Sequence, residues 1–529
     1  MTETFDYIIV GGGSAGCVIA ARLSGDPQSR VCLVEQGPRD KSLLLHVPIG
    51  FYKAIQDSRY TQHFKTIGEP STGNRRMVWP RGRVLGGSSS INGLLYVRGQ
   101  AEDFDEWEAL GAPGWSFREV LPYFRRSESN VLGDGPFHGA DGPLGVVEAP
   151  HDPLSDLFVQ SAVKAGVPHN RDFNGATQEG AGYYQVTVKN GWRASTAASF
   201  LKPLKNRPNL AVRTGRAVKR ILFSGKRAVG VELSDGSKIA CEKEVILSAG
   251  AIGSPHLLLL SGVGPAAQLS AKGIDVVSPL EGVGRNMQDH FNSYLAYDCD
   301  EKLSLNYQSR RLAWQVKVGM EYAFKRSGQL TAGAARAGAF IKTSADLQRP
   351  DVQLHVLPFG MTPAGAMGDD PQYTITVCQL RPYSRGTVSL ASADWRDTPE
   401  LRPGFLTDER DISTLVAGIR STQTIASTSP LGDVTHGARV DPAMPDSELI
   451  ALVRQTGRTV FHLCGTCKMG SDDDAVVDPL LRVRGVEGLR VADASIMPTM
   501  VSGNTNAATI MIGEKASELL LGNRFSLAA

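Results

Sequence analysis

The chain has 529 residues, 42% of them hydrophobic, which allows two or more domains with well-buried cores. Its 56 lysines and arginines nearly balance 54 acidic residues, and no basic block or aromatic–basic stripe stands out. Nucleic acid is thereby disfavoured as the main partner, and a small-molecule enzyme fits best. The cysteines at Cys17, Cys32, Cys241, Cys299, Cys378, Cys464 and Cys467 are odd in number and dispersed, unlike a disulfide framework. The start, MTETFDYIIV, has neither the basic stretch nor the long apolar run of a secretory signal. No uncharged apolar run reaches the roughly 18 residues needed to span a bilayer. The sequence therefore predicts a cytoplasmic protein, with peripheral membrane contact on the cytoplasmic side left open.

In chain order, Phe5–Val10 reads as a strand, Ser14–Ser24 as a helix, and Val31–Glu35 as a second buried strand ending in an acid. Short strands with turn signals recur from Val212 to Leu247. From about Asp298 to Thr456 the texture shifts to longer helical segments and strands such as Gln372–Leu380 and Gly386–Leu390. The end returns to the first texture, with strand Leu489–Asp493 and helix Ala507–Leu521. One cofactor domain assembled from separate segments, with a substrate domain inserted between them, accounts for this order. The loop Phe359–Gln372, rich in Gly, Pro, Met and Asp, is expected to be the most mobile part.

Gly11, Gly13 and Gly16 form a GxGxxG directly between the first strand and the first helix. The first glycine makes the turn, the second admits a pyrophosphate to the backbone, and the third lets helix and strand pack closely. The pyrophosphate would sit on the free amides at the positive end of the helix dipole. Glu35 ends the next strand, where an acid accepts hydrogen bonds from adenosine ribose hydroxyls. These features predict a dinucleotide site without separating FAD from NAD.

Gly82–Asp105, GRVLGGSSSINGLLYVRGQAEDFD, and Gly250–Gly264, GAIGSPHLLLLSGVG, resemble the two signatures of the glucose–methanol–choline (GMC) oxidoreductases. VGRNMQDH (283–290), RPYSRGTVSL (381–390), VADASIMP (491–498) and GNTNAATIMIGEKA (503–516) are similar to further landmarks of that family. Within the family, segments such as Asp172–Gly191 look most like bacterial alcohol dehydrogenases of the choline, sorbose and polyethylene-glycol type. The resemblance implies an α/β fold: a Rossmann-like FAD-binding domain and an inserted α+β substrate domain with an antiparallel sheet. The expected division gives 1–151, 192–294 and 460–529 to FAD, and 152–191 and 295–459 to substrate.

The implied cofactor contacts, besides the glycines and Glu35, are Ser14, Ala15, Gly86, Gly87, Ser88, Asn92, Val218, Asp493, Ala494, Asn504, Thr505 and Ala507. The backbone amides of the small-residue loop at Gly86–Ser88 can reach the cofactor. Some members attach FAD through a histidine one position before Asn92. Ile91 stands there, so the resemblance implies non-covalent FAD and no metal.

The implied activity is oxidation of a primary or small secondary alcohol to an aldehyde or ketone, with electrons passed to a quinone or another acceptor. An oxidase that uses oxygen and makes peroxide is the alternative. Such chemistry needs a base with a pKa near the working pH and a second group to hold the substrate oxygen. The resemblance places these at His462 and Asn506, with Asn504–Asn506 leading into a helix whose dipole would favour charge on a reduced flavin. Relatives usually carry proline after the histidine; Leu463 replaces it here, so the local strand or the wall of the site is expected to differ. Cys464 and Cys467 read as buried packing, Asp289–His290 as structural hydrogen bonding, and Asp472–Asp474 as a solvated turn.

Overall fold

The computed structural model describes residues 3–361 and 367–522. The central part of the loop expected to be mobile, residues 362–366, lies outside the described residues. Two seven-stranded sheets organise the chain. In the first, strands Leu210–Thr214, Val31–Glu35, Glu3–Val10, Lys238–Leu247 and Leu489–Val491 run parallel. The hairpin Val218–Ser224/Arg227–Leu233 then adds two antiparallel strands to the near half of Lys238–Leu247. Parallel strands covered on both faces require continuous apolar runs, and YIIV, VCLV and VIL in these strands are buried throughout. Helices Ser14–Leu23, Gly250–Leu260 and Thr505–Leu521 pack on this sheet, each beginning at the carboxyl end of its parallel strands. That is the end where a doubly wound sheet binds ligands.

The second sheet is antiparallel: Thr435–Ala438, Phe291–Cys299, Gln372–Gln379, Val352–Leu357, Ala337–Ile341 and Gly180–Tyr183, with Arg458–Thr459 beside Phe291. A separate apolar core fills the space between it and helix Glu409–Ser427. Gly180–Tyr183 comes from the expected 152–191 insertion. The strand Phe291–Cys299, however, runs across the expected boundary between 294 and 295, because it continues without interruption from Asp289–His290. Helix Thr505–Leu521 likewise starts two residues earlier than the sequence pattern suggests.

A buried ion cluster stiffens the segment beneath the site. Arg98 pairs with Glu128 at 2.6 Å, and His138 lies between two carboxylates, 2.9 Å from Glu128 and 2.8 Å from Asp172. Burial opposes charge on this ring, but its two carboxylate hydrogen bonds outweigh the burial and raise its pKa to about 9. A raised folded-state pKa means the stabilisation is complete below the ordinary imidazole value of 6.5 and is lost as pH rises through about 9. His138→Gln is expected to cost about 3 kcal/mol near neutral pH, where it breaks a buried charged pair. Thermal unfolding above about pH 10 should show a much smaller difference between variant and parent.

Candidate active site

At the carboxyl edge of the parallel sheet the backbone is packed as closely as glycine permits. A Cβ on Gly11, whose φ is +102°, would sit 2.4 Å from the Ser248 carbonyl oxygen, and one on Gly16 would sit 1.9 Å from the Gly11 oxygen. Gly13 differs: its φ of −88° suits any residue, and a Cβ there would meet no protein atom closer than 3.8 Å. Gly13 instead borders a cavity of about 570 Å³ that also exposes Ser14 and Ala15 at the helix start. Glu35 lines the same cavity and accepts hydrogen bonds from the Gly12 and Gly37 amides at 2.8 and 2.7 Å. Burial raises its pKa to about 7 despite those bonds.

Gly87 presses on this loop from above, its absent Cβ 2.7 Å from the Gly13 Cα, and the Gly86 amide donates to the Gly12 carbonyl at 2.7 Å. Ser88, Asn92 and Val218 line the cavity beside them. The Asn92 side-chain oxygen accepts from the guanidinium of Arg193 at 2.8 Å, which leaves its amide NH₂ free to face the cavity. Arg193 is buried, with no carboxylate partner among the described residues, and desolvation lowers its pKa to about 9. Sequence reasoning missed Arg193; a contact between residues 101 positions apart leaves no local signal.

The third wall is the start of helix Thr505–Leu521. Asp493 and Ala494 line the cavity here. The Asp493 carboxylate is already committed, accepting from the Gly250 amide at 2.8 Å, the Ser254 hydroxyl at 2.5 Å and the Ser495 amide at 2.8 Å. It braces two turns, so the neighbouring amides are what this segment presents to a ligand. Ser502 is fixed by Asp103, which accepts from its amide and hydroxyl at 2.6 and 2.8 Å, and by Gln178, which donates to its carbonyl. Gly503 follows at φ +150°, where a Cβ would strike Val97 at 2.5 Å. Thus anchored, the chain delivers Asn504, Thr505 and Asn506 to the cavity.

The expected partner of His462 is corrected here. Asn506 lies half a turn into the helix and accepts a hydrogen bond from Ser14 at 2.8 Å, so its side chain is turned toward the pyrophosphate loop. Asn504, at the cap position with its side chain unused for capping, places its amide nitrogen 3.0 Å from His462 Nε2. Asn506 still borders the cavity, whereas three expected cofactor contacts lie outside its lining. Gly16 joins helix to strand, Gly86 packs against Ser90 and Ala197, and Ala507 is buried in the core.

His462 follows Phe461, whose φ of +66° turns the strand. Asp289 accepts the His462 backbone amide at 2.7 Å and also receives the Thr459 hydroxyl. His290 Nδ1 lies 2.9 Å from His462 Nδ1, while His290 Nε2 lies 2.9 Å from the Leu380 carbonyl oxygen. A carbonyl only accepts, so His290 Nε2 carries hydrogen. Neutral His290 then offers a bare Nδ1, His462 Nδ1–H donates to it, and His462 Nε2 is left bare toward Asn504 and the cavity. Burial holds both rings neutral, His290 at about 4 and His462 well below its ordinary value, with the nearby His290, His355 and Arg81 adding to the effect on His462. Asp289–His290 thus makes the structural hydrogen bonds expected of it, and they reach both the backbone and the ring of His462. Leu463 fills the apolar core, and its backbone amide takes no part in the ladder that joins Gln288 to Cys464. Cys464 and Cys467 are both free and buried, and among the described residues no metal-binding group of side chains occurs.

Residues 5–292 match the N-terminal and residues 382–513 the C-terminal family model of GMC oxidoreductases. The chain is a GMC oxidoreductase. It is 42% identical to an alcohol dehydrogenase [acceptor] of Pseudomonas putida over 98% of this chain and 96% of that one. It is 40% identical to an oxygen-dependent choline dehydrogenase of Photobacterium profundum, over 99% and 94% respectively. Among solved structures, pyridoxine 4-oxidase from Mesorbium loti superposes with a TM-score of 0.88 at 28% identity, over 97% of this chain and 98% of that one. Like its family, this GMC oxidoreductase is an FAD-dependent enzyme acting on CH–OH groups.

The residues present fit that cofactor. The start of helix Ser14–Leu23 would supply free amides for the phosphates beside the open side of Gly13, and the start of helix Thr505–Leu521 borders the same cavity. Ile91 offers no atom for covalent attachment. Gly13→Ala is expected to fold normally yet retain FAD at least about tenfold more weakly, since its methyl enters only the cavity. Gly16→Ala should instead destabilise the apoprotein. Comparing bound-flavin absorbance with thermal unfolding of the apoproteins separates the two effects.

Proposed function

We propose that this GMC oxidoreductase oxidises an uncharged primary or small secondary alcohol, with His462 as the base and Asn504 as the group that orients the substrate hydroxyl. The bare Nε2 of a buried, neutral His462 carries this reading. FAD, when bound, supplies the acceptor for the hydrogen that leaves the substrate carbon. Nε2 takes the hydroxyl proton, and the Asn504 amide NH₂ donates to the substrate oxygen as negative charge grows on it. His290 stabilises the resulting imidazolium through the Nδ1 contact, because its own Nδ1 accepts. Conversion to aldehyde or ketone is complete once both hydrogens have gone.

The far end of the cavity narrows the substrate. Leu357, Phe359, Met361 and Tyr52 belong to one apolar cluster, and the Tyr52 and Phe359 rings meet edge to face at 5.5 Å. The carboxylates among the described lining residues are Glu35, Asp397 and Asp493, none of which belongs to that cluster. Such a wall suits an alkyl chain better than a cationic alcohol. For the electrons we favour a quinone or another non-oxygen acceptor, in line with the relative named as an acceptor-dependent alcohol dehydrogenase. The unpaired cysteines are in keeping with a reducing cytoplasm. No helix among the described residues is long and apolar enough to cross a membrane.

The reading is tested by anaerobic mixing with a panel of alcohols, choline included, while flavin absorbance is followed. Bleaching by aliphatic alcohols but not choline is expected, with slow recovery in air and fast recovery with a quinone. His462→Ala should slow bleaching by about a hundredfold to ten-thousandfold with FAD still bound. Asn504→Ala should slow it more than Asn506→Ala does. Equal effects at the two asparagines would refute the assignment of Asn504.

A further inference from the structure

Helix Leu312–Lys325 is amphipathic the wrong way round for a soluble surface. Its buried residues are Val318 and Tyr322, while Leu312, Val316, Met320 and Phe324 are 72, 51, 55 and 82% exposed. Spaced four apart, these four form one ridge. At 100° per residue Ala313, Gly319 and Ala323 fall within the same arc, and all three are exposed. The outward face is thus apolar without interruption along about 21 Å, too short to span a bilayer and long enough to lie along one.

Cations frame this ridge. Arg310 and Arg311 stand at its start, Lys317 on its flank, and Lys325 and Arg326 at its end. Arg310 pairs with Asp369, whereas Arg311 and Arg326 stack on aromatic rings. Lys317 and Lys325 form no ion pair among the described residues. The helix holds one acid, Glu321, which like Lys325 lies around the helix from the ridge and accepts from Ser327. A second copy of the chain meeting this face about a two-fold axis would bring cations against cations. Anionic headgroups would instead complement those that are not already paired.

We propose that this face docks on an anionic lipid surface, with the ridge among the acyl chains and the flanking lysines and arginines at the phosphates. The helix is coupled to the cavity. Just before it, Asn306 donates to the carbonyls of Gly360 and Gly368 at 3.0 and 2.7 Å and accepts from the Gly360 amide at 2.7 Å. Phe359 and Met361, in that same segment, line the cavity. Docking therefore carries the cavity rim to the lipid surface, where alkyl alcohols and lipid-dissolved acceptors concentrate. That last consequence rests on the function proposed above; the docking does not.

The test is flotation of the FAD-loaded protein with vesicles of phosphatidylglycerol and phosphatidylcholine, and with vesicles of phosphatidylcholine alone. The protein is expected to float with the anionic vesicles, less with the neutral ones, and less at high salt. The double variant Val316→Asp/Phe324→Asp changes exposed side chains only. It should lose at least about tenfold in vesicle binding while flavin content, thermal unfolding and anaerobic flavin bleaching in solution stay unchanged. Parent protein that does not float with anionic vesicles, or a double variant that floats equally well, overturns the proposal. So does a parent dimer in sedimentation velocity that the double variant converts to monomer, since a second copy then covers the ridge.

Discussion

Two helix starts, 491 residues apart in sequence, lie side by side with their positive ends together. The Ser14 hydroxyl donates to Asn506 at 2.8 Å, and eight residues further along each helix Arg22 pairs with a fully buried Glu514 at 2.7 Å. Gly513 allows the approach: a Cβ there would lie 2.9 Å from the Ala15 carbonyl oxygen. Parallel dipoles placed this way favour negative charge at the shared end. The packing of the parallel sheet thus makes an end that suits an anion, such as the phosphates a dinucleotide would bring. Everything else in the site is arranged around that end.

The second sheet contributes a different kind of control. Its strand Phe291–Cys299 begins immediately after His290, and the order Leu380 carbonyl, His290, His462 passes a defined hydrogen position from backbone to base. Two imidazoles in contact could exchange roles if both faced solvent. A carbonyl at one end removes that freedom, and burial keeps both rings uncharged. The hydrogen position on His462 is therefore set by the Leu380 carbonyl, one residue past the end of strand Gln372–Gln379.

Much of this was legible in the sequence because it is local. The glycine spacing, the acid at Glu35 and the small-residue run at Gly86–Ser88 each need only neighbours in sequence to make sense. The choice between Asn504 and Asn506 was not legible. Two residues apart at a helix start, they point in different directions, and which one meets His462 depends on how Asp103 and Gln178 hold Ser502. Arg193 escaped for the same reason, since its meaning lies in a partner 101 positions away in the sequence. The expected division at 294/295 falls inside strand Phe291–Cys299, which starts directly after the motif at 283–290.

His462 and its supports, Asp289 and His290, ride on the edge of the antiparallel sheet, where Arg458–Thr459 pairs with Phe291–Asn292. Asn504 rides on a helix of the parallel sheet. The 3.0 Å contact between them is a joint between two bodies, each with its own core. Its length registers their mutual position as a vernier does. A displacement of one sheet by about a single ångström, at no cost to either core, would part the His462 ring from the Asn504 amide.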